Sequence, residues 1–169
     1  NNPDAMIETL VTDLKSLLNA DDCYLTRWND ELKKPIPLST SAALNKPYDN
    51  MEIAPDQISM TASIIHEGRV LVAEDVFNSP YISPEVARNF PARSILGIPL
   101  IHGQIKLGAV LVAFNKPHKF PAVEIERAEG AGNQIAIAIW NAQQDFELQK
   151  RLRESDALTK IAHALSQSE

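Results

Sequence analysis

The sequence predicts one α+β domain, an antiparallel sheet with helices flanking it and inserted between its strands. Three observations predict this. Residues 94–101 and 105–114 read as the clearest strands, two apolar runs joined at His102-Gly103 as a tight hairpin. Apolar residues recur at helical spacing near both ends of the chain. A chain of 169 residues, 44% hydrophobic, is large enough for one core and an extra helix.

The elements follow in order. Asn2-Pro3-Asp4 reads as a helix start, and Ile7, Leu10, Val11, Leu14, Leu17 and Leu18 form one stripe, ended near residues 19–22. Residues 23–28, CYLTRW, alternate and are rich in strand formers. A weaker strand is expected over 37–43, with Pro35 and Pro37 marking an entry or edge position. Residues 44–57 read as a loop. Ser59 caps a short helix over 60–67, stopped by Gly68. Residues 70–73 form a short strand. Ser83 before Pro84-Glu85 resembles a capped helix start running toward Phe90-Pro91. A long helix runs from about Pro121 past Arg153, with Gly130 and Gly132 inside it. Each glycine costs roughly 1 kcal/mol there, so close packing or a kink is expected. The terminal helices are expected on one face of the sheet, and the short helices and loops on the other.

Composition excludes several classes. The net charge is −6 and the basic residues are scattered, which argues against a nucleic-acid face. No apolar run approaches the ~20 residues of a membrane span. The N-terminus shows no basic-then-apolar leader and no initiator Met, so a piece of a longer cytoplasmic protein is expected. The one cysteine, Cys23, rules out an internal disulfide and is expected to be buried and inert. His66, His102, His118 and His163 form no metal-ligand spacing and are expected at the surface.

The stretch RSILGIPLIHGQIKLGAVLVAFNKPHKF, followed by NQIAIAIWNAQ, resembles the C-terminal half of a GAF domain. The residues that carry the likeness are Ser94, Pro99, Leu100, Gly103, Gly108, Leu111, Phe120, Gln134, Ala136, Ala138, Ile139, Asn141 and Ala142. VLVAEDVFNSPYI resembles the preceding strand and its Asp. The likeness covers roughly residues 5 to 150. It implies a central antiparallel sheet of five or six strands, and a role in binding a small molecule or dimerising to pass strain to an output domain. The expected output is a histidine kinase or a cyclic-dinucleotide enzyme. No enzymatic activity is expected. Relatives that reduce methionine sulfoxide use several cysteines, and relatives that hold a bilin covalently use a Cys absent from residues 75–93 here. The cofactor therefore stays unknown, with no covalent bilin expected.

Asn115-Lys116, Phe120 and Glu124 partly match the motif of cyclic-nucleotide-binding relatives. Glu124 stands where Asp belongs and Ile125 where Glu belongs, so what remains is a Lys116–Glu124 pair that is equally an ordinary loop ion pair. The pocket is expected between the sheet and residues 44–93, with Trp28, Thr40, Phe77, Tyr81, Phe90, Arg93 and Ser94 as candidates. Arg93 is either a partner for a carboxylate or phosphate or a solvent-facing cation. Asp75 reads as a structural turn residue.

Residues 1–150 are thus read as the sensory domain. Residues 151–169, where Leu158, Ile161 and Leu165 change apolar register, are read as a signalling linker or the start of the next module, or else the tail of one helix. A homodimer is expected through Ile135, Ile139, Ala142 and Phe146. A spacer without ligand and a cyclic-nucleotide-binding domain are the alternatives.

Overall fold

The computed structural model describes residues 3–36 and 52–168. In chain order these form α1 (Pro3–Leu17), β1 (Asp22–Asn29), β2 (Lys34–Ile36), α2 (Met60–Glu67), β3 (Leu71–Ala73), α3 (Pro84–Ala87), β4 (Ser94–His102), β5 (Ile105–Phe114) and α4 (Ala122–Ser166). The strands make one antiparallel sheet in the order β2-β1-β5-β4-β3. β4 and β5 form the expected hairpin. β1, although first in sequence, inserts on the other side of β5, with Tyr24 opposite Leu111 and Leu111 opposite Gly97.

Alternation splits the core into two layers. One face carries Leu25, Leu96, Ile98, Val110 and Val112 and is covered by Val11 and Leu14 of α1 and Ile135 and Ile139 of α4. The other carries Tyr24, Ile95 and Leu111 and is covered by Met60 and Ile64 of α2 and by the 74–93 loop. This is the arrangement the sequence predicts. α2 sits close because position 97 is glycine: a Cβ there would run into Ile64. Its ends are as expected. The Ser59 hydroxyl accepts from the Ala62 amide at 3.1 Å, and Gly68 ends the helix at φ 65, which glycine adopts without strain.

The edge position expected of Pro35 holds: it lies in the short strand Lys34–Ile36, opposite Trp28, where a missing donor is tolerated. The strand expected over 37–43 lies outside the described residues. Other expectations need correction. α3 ends at Ala87, and Ser83 does not cap it: its hydroxyl accepts from the Ile58 amide at 2.7 Å. Pro91 disfavours helical backbone at Phe90, and Asn89 takes the last carbonyls of that turn. Half of the expected dimer face is not available to a partner. Ile135 and Ile139 are 0% and 2% exposed because they cover the chain's own sheet. Phe146, on the same side of α4 but beyond the sheet, is 64% exposed.

α4 has 45 residues and no break, about 70 Å of helix. The 150/151 boundary falls inside it. Ile139 is its last buried residue. The change of register seen in the sequence is a change of face: Leu148, Leu152, Leu158, Ile161 and Leu165 are all more than half exposed. Among the described residues no helix is long and apolar enough to cross a membrane.

Candidate functional site

The second face of the sheet holds a small apolar cavity of about 10 Å³ under the 74–93 loop, room for about one water molecule. Its walls are Tyr24 and Leu111 from the sheet, Met60 from α2, and Ile82, Val86 and Phe90 from the loop. The Tyr24 and Phe90 rings lie tilted with centroids 6.2 Å apart. Ser59 also lines the cavity, but its oxygen is committed to capping α2.

Of the residues expected in a pocket, the structure brings Phe90 to this cavity. Trp28 is half-buried at the far end of β1, with its indole donating to Asp30 at 3.3 Å. Phe77 is half-buried under the Arg93 guanidinium, which sits 5.0 Å from its ring centroid. Arg93 is exposed and spends its charge on that ring, so it takes the solvent-facing alternative. Tyr81 points outward to accept from Arg69 at 3.2 Å. Thr40 lies outside the described residues. Ser94 is fully buried and tied to backbone. Its hydroxyl lies 2.7 Å from the Glu74 carbonyl and 3.1 Å from the Lys116 carbonyl, and accepts the His118 amide at 2.9 Å.

Asp75 is the turn residue the sequence suggests. It accepts from Asn78 Nδ2 at 2.7 Å and the Phe77 amide at 3.0 Å, and these bonds, Asn78 first, hold its carboxyl below the usual range. Cys23 is buried as expected, and burial pushes its thiol up to about 12. Among the described residues no three His, Cys, Asp or Glu side chains group as a metal site.

Two histidines depart from the surface expectation. His118 stacks on Phe114 at 3.9 Å, meets Phe120 edge-on, and bonds Glu124 through Nε2 at 2.9 Å. Glu124 therefore pairs with His118 and not with Lys116. His102, at the tip of the hairpin, stacks on Trp140 of α4 at 4.4 Å. The wall residues Tyr24, Met60, Ile82 and Val86 were not singled out from the sequence. Their only signal was an apolar side chain at an inward position, which any core residue shares.

The chain's likeness to known proteins agrees with this geometry. The sequence model of the GAF domain family matches residues 2–139. Among curated proteins no relative matches. Among solved structures, a GAF/HD domain protein from Geobacter sulfurreducens is similar, at 18% identity and TM-score 0.68, over 85% of this chain and 95% of that one. The third GAF domain of a Synechocystis protein, in its photoproduct state, is similar at 19% identity and TM-score 0.65, over 88% and 99%. The GAF domain of a phosphoenolpyruvate-protein phosphotransferase from Coxiella burnetii is similar at 18% identity and TM-score 0.68, over 86% and 87%.

Proposed function

Because the chain belongs to the GAF domain family, we propose that it is a regulatory input domain of a signalling protein, working as a parallel homodimer that relays change through α4. The observation that carries this reading is the unpartnered length of α4. Beyond Gln143 it continues for roughly 35 Å with every side chain exposed. A lone helix of that kind gains little from propensity, and its apolar side chains stay in water. Ile137, Leu148, Leu158, Ala162 and Leu165 fall on one line of a heptad repeat, the seam a two-stranded coiled coil uses. Asn141, Gln144, Arg151 and Ser155 interrupt that line, which fits a weak, reversible contact. Residues 151–169 then serve as the linker to an output domain.

The spacer reading is favoured by a separate observation, the size of the cavity. A nucleotide-sized ligand needs a pocket of about 300–1,000 Å³, whereas the cavity holds about one water. With Glu124 also committed to His118, cyclic-nucleotide binding has little support. Ligand sensing requires the 74–93 loop to open. A non-catalytic role is supported by Cys23, whose buried thiol is protonated at neutral pH and a poor nucleophile.

The test is sedimentation across protein concentration. The chain is expected to dimerise, and Leu148→Glu with Leu158→Glu to give a folded monomer with unchanged near-UV dichroism. A monomer at several hundred micromolar would remove the dimer reading. Native mass spectrometry and thermal shift against a metabolite panel separate sensor from spacer.

A further inference from the structure

We propose that the Ser94 hydroxyl is a two-position switch coupling the wall of the cavity to the start of α4. The hydroxyl is fully buried between the Glu74 carbonyl at 2.7 Å and the Lys116 carbonyl at 3.1 Å. A serine hydroxyl has one proton to donate, so it bonds only one of them at a time. In either position it accepts the His118 amide.

Each carbonyl belongs to a different moving part. Glu74 forms the neck of the 74–93 loop, together with the Val76 amide, which donates to the Arg93 carbonyl at 2.9 Å. That loop supplies Ile82, Val86 and Phe90 to the cavity wall. Lys116 lies in the leader into α4. Two residues on, the His118 ring is fixed by stacking on Phe114 and by its bond to Glu124 in the first turn of α4. With the proton on Glu74 the neck is clasped and the leader loses a bond. With the proton on Lys116 the leader is held and the neck loosens. The sheet need not change, since the Arg93 amide to Phe114 carbonyl bond, 2.7 Å, keeps the strand ends in register.

The two ends communicate through His118. Anchoring its ring positions its amide, and an amide well placed on a hydroxyl oxygen strengthens the bond that the hydroxyl donates onward. The His118 amide bond is common to both positions, so weakening it weakens whichever carbonyl bond the hydroxyl is making, while the two carbonyls themselves compete for the one proton. It does not depend on dimerisation.

Amide hydrogen exchange on the full chain tests this. Glu124→Ala, at a partly exposed position, removes the ring's anchor. It is expected to speed exchange of the distant Val76 amide by roughly two- to thirtyfold, the range of network couplings. His118→Phe keeps a ring on Phe114 but drops the bond to Glu124. In that background Glu124→Ala is expected to leave Val76 unaffected. Ser94→Ala is expected to speed exchange at Val76 and at the Glu124 and Ile125 amides together. Two outcomes overturn the proposal: no change at Val76 with Glu124→Ala, or an equal change whether or not His118 is present. Both are read on variants that leave the buried serine in place, so they stand even if Ser94→Ala does not fold.

Discussion

Thr26 presents a hydroxyl to the sheet interior at 2% exposure, with no hydrogen-bond partner among the described residues. Such a group costs about 1–3 kcal/mol of desolvation, and a side chain of the same shape without the hydroxyl avoids it. Thr26→Val is therefore expected to be neutral or to stabilise by about 1 kcal/mol in a denaturant melt, and a loss of that size would show an unseen partner. Cys23 makes a pH-dependent contribution. Its thiol sits at about 12 in the fold against an ordinary 9.0, raised first by burial and then by Asp22. A raised value means that the stability it contributes is complete below about pH 9 and is lost as pH climbs toward 12. Melts at about pH 8 and pH 10, with Cys23→Ala as reference, are expected to differ by roughly 1 kcal/mol, the higher pH being less stable. A pH-independent difference would show the thiol is not desolvated. The burial of Cys23 was legible in the sequence because a lone cysteine on an alternating strand has few other fates. The partners of Arg93, Ser94 and Glu124 were not, since each depends on which loop folds across it. Glu124 found a histidine six positions back because the leader into α4 turns through His118.

At the scale of elements, the sequence spoke clearly wherever a period, or a cap paired with a glycine stop, was present. α2 begins and ends where Ser59 and Gly68 put it. The reading failed at α3, where the Ser83 hydroxyl accepts from the Ile58 amide and does not cap the helix. The two glycines of α4 turn out to be different. A Cβ at Gly132 would strike Ile98 on β4, so this glycine is the close-packing point between helix and sheet. A Cβ at Gly130 would meet nothing within 4 Å, and nothing in the structure explains the glycine there. Gly130→Ala is expected to stabilise by about 1 kcal/mol, and Gly132→Ala to destabilise. The comparison is best made in the Leu148→Glu background, so that assembly does not enter. Similar stabilisation at both positions would refute the packing account.

For the whole molecule, the two-layer core was predictable from period alone, because alternation in the strands leaves one face for each set of helices. How α4 divides its length was not. The stripe Ile135, Ile139, Ala142, Phe146 looked continuous, yet the sheet ends beneath its middle. Truncation after Gln149 tests this division. It removes no buried side chain of the described structure. The shortened chain is expected to keep its fold and to lose the concentration dependence of Tm that a dimer confers. Retention of that dependence would move the dimer contact to the body of the domain.

The unbroken passage of α4 out of the core has an angular consequence. Each residue of an α-helix turns the chain by about 100°. One residue inserted after Gln149 leaves every buried contact of this domain intact, yet it rotates whatever follows by more than a quarter turn. Seven residues restore the original bearing to within about 20°. The domain's stability and the bearing of the helix beyond it are therefore written in separate stretches of the same helix, and each can change without the other.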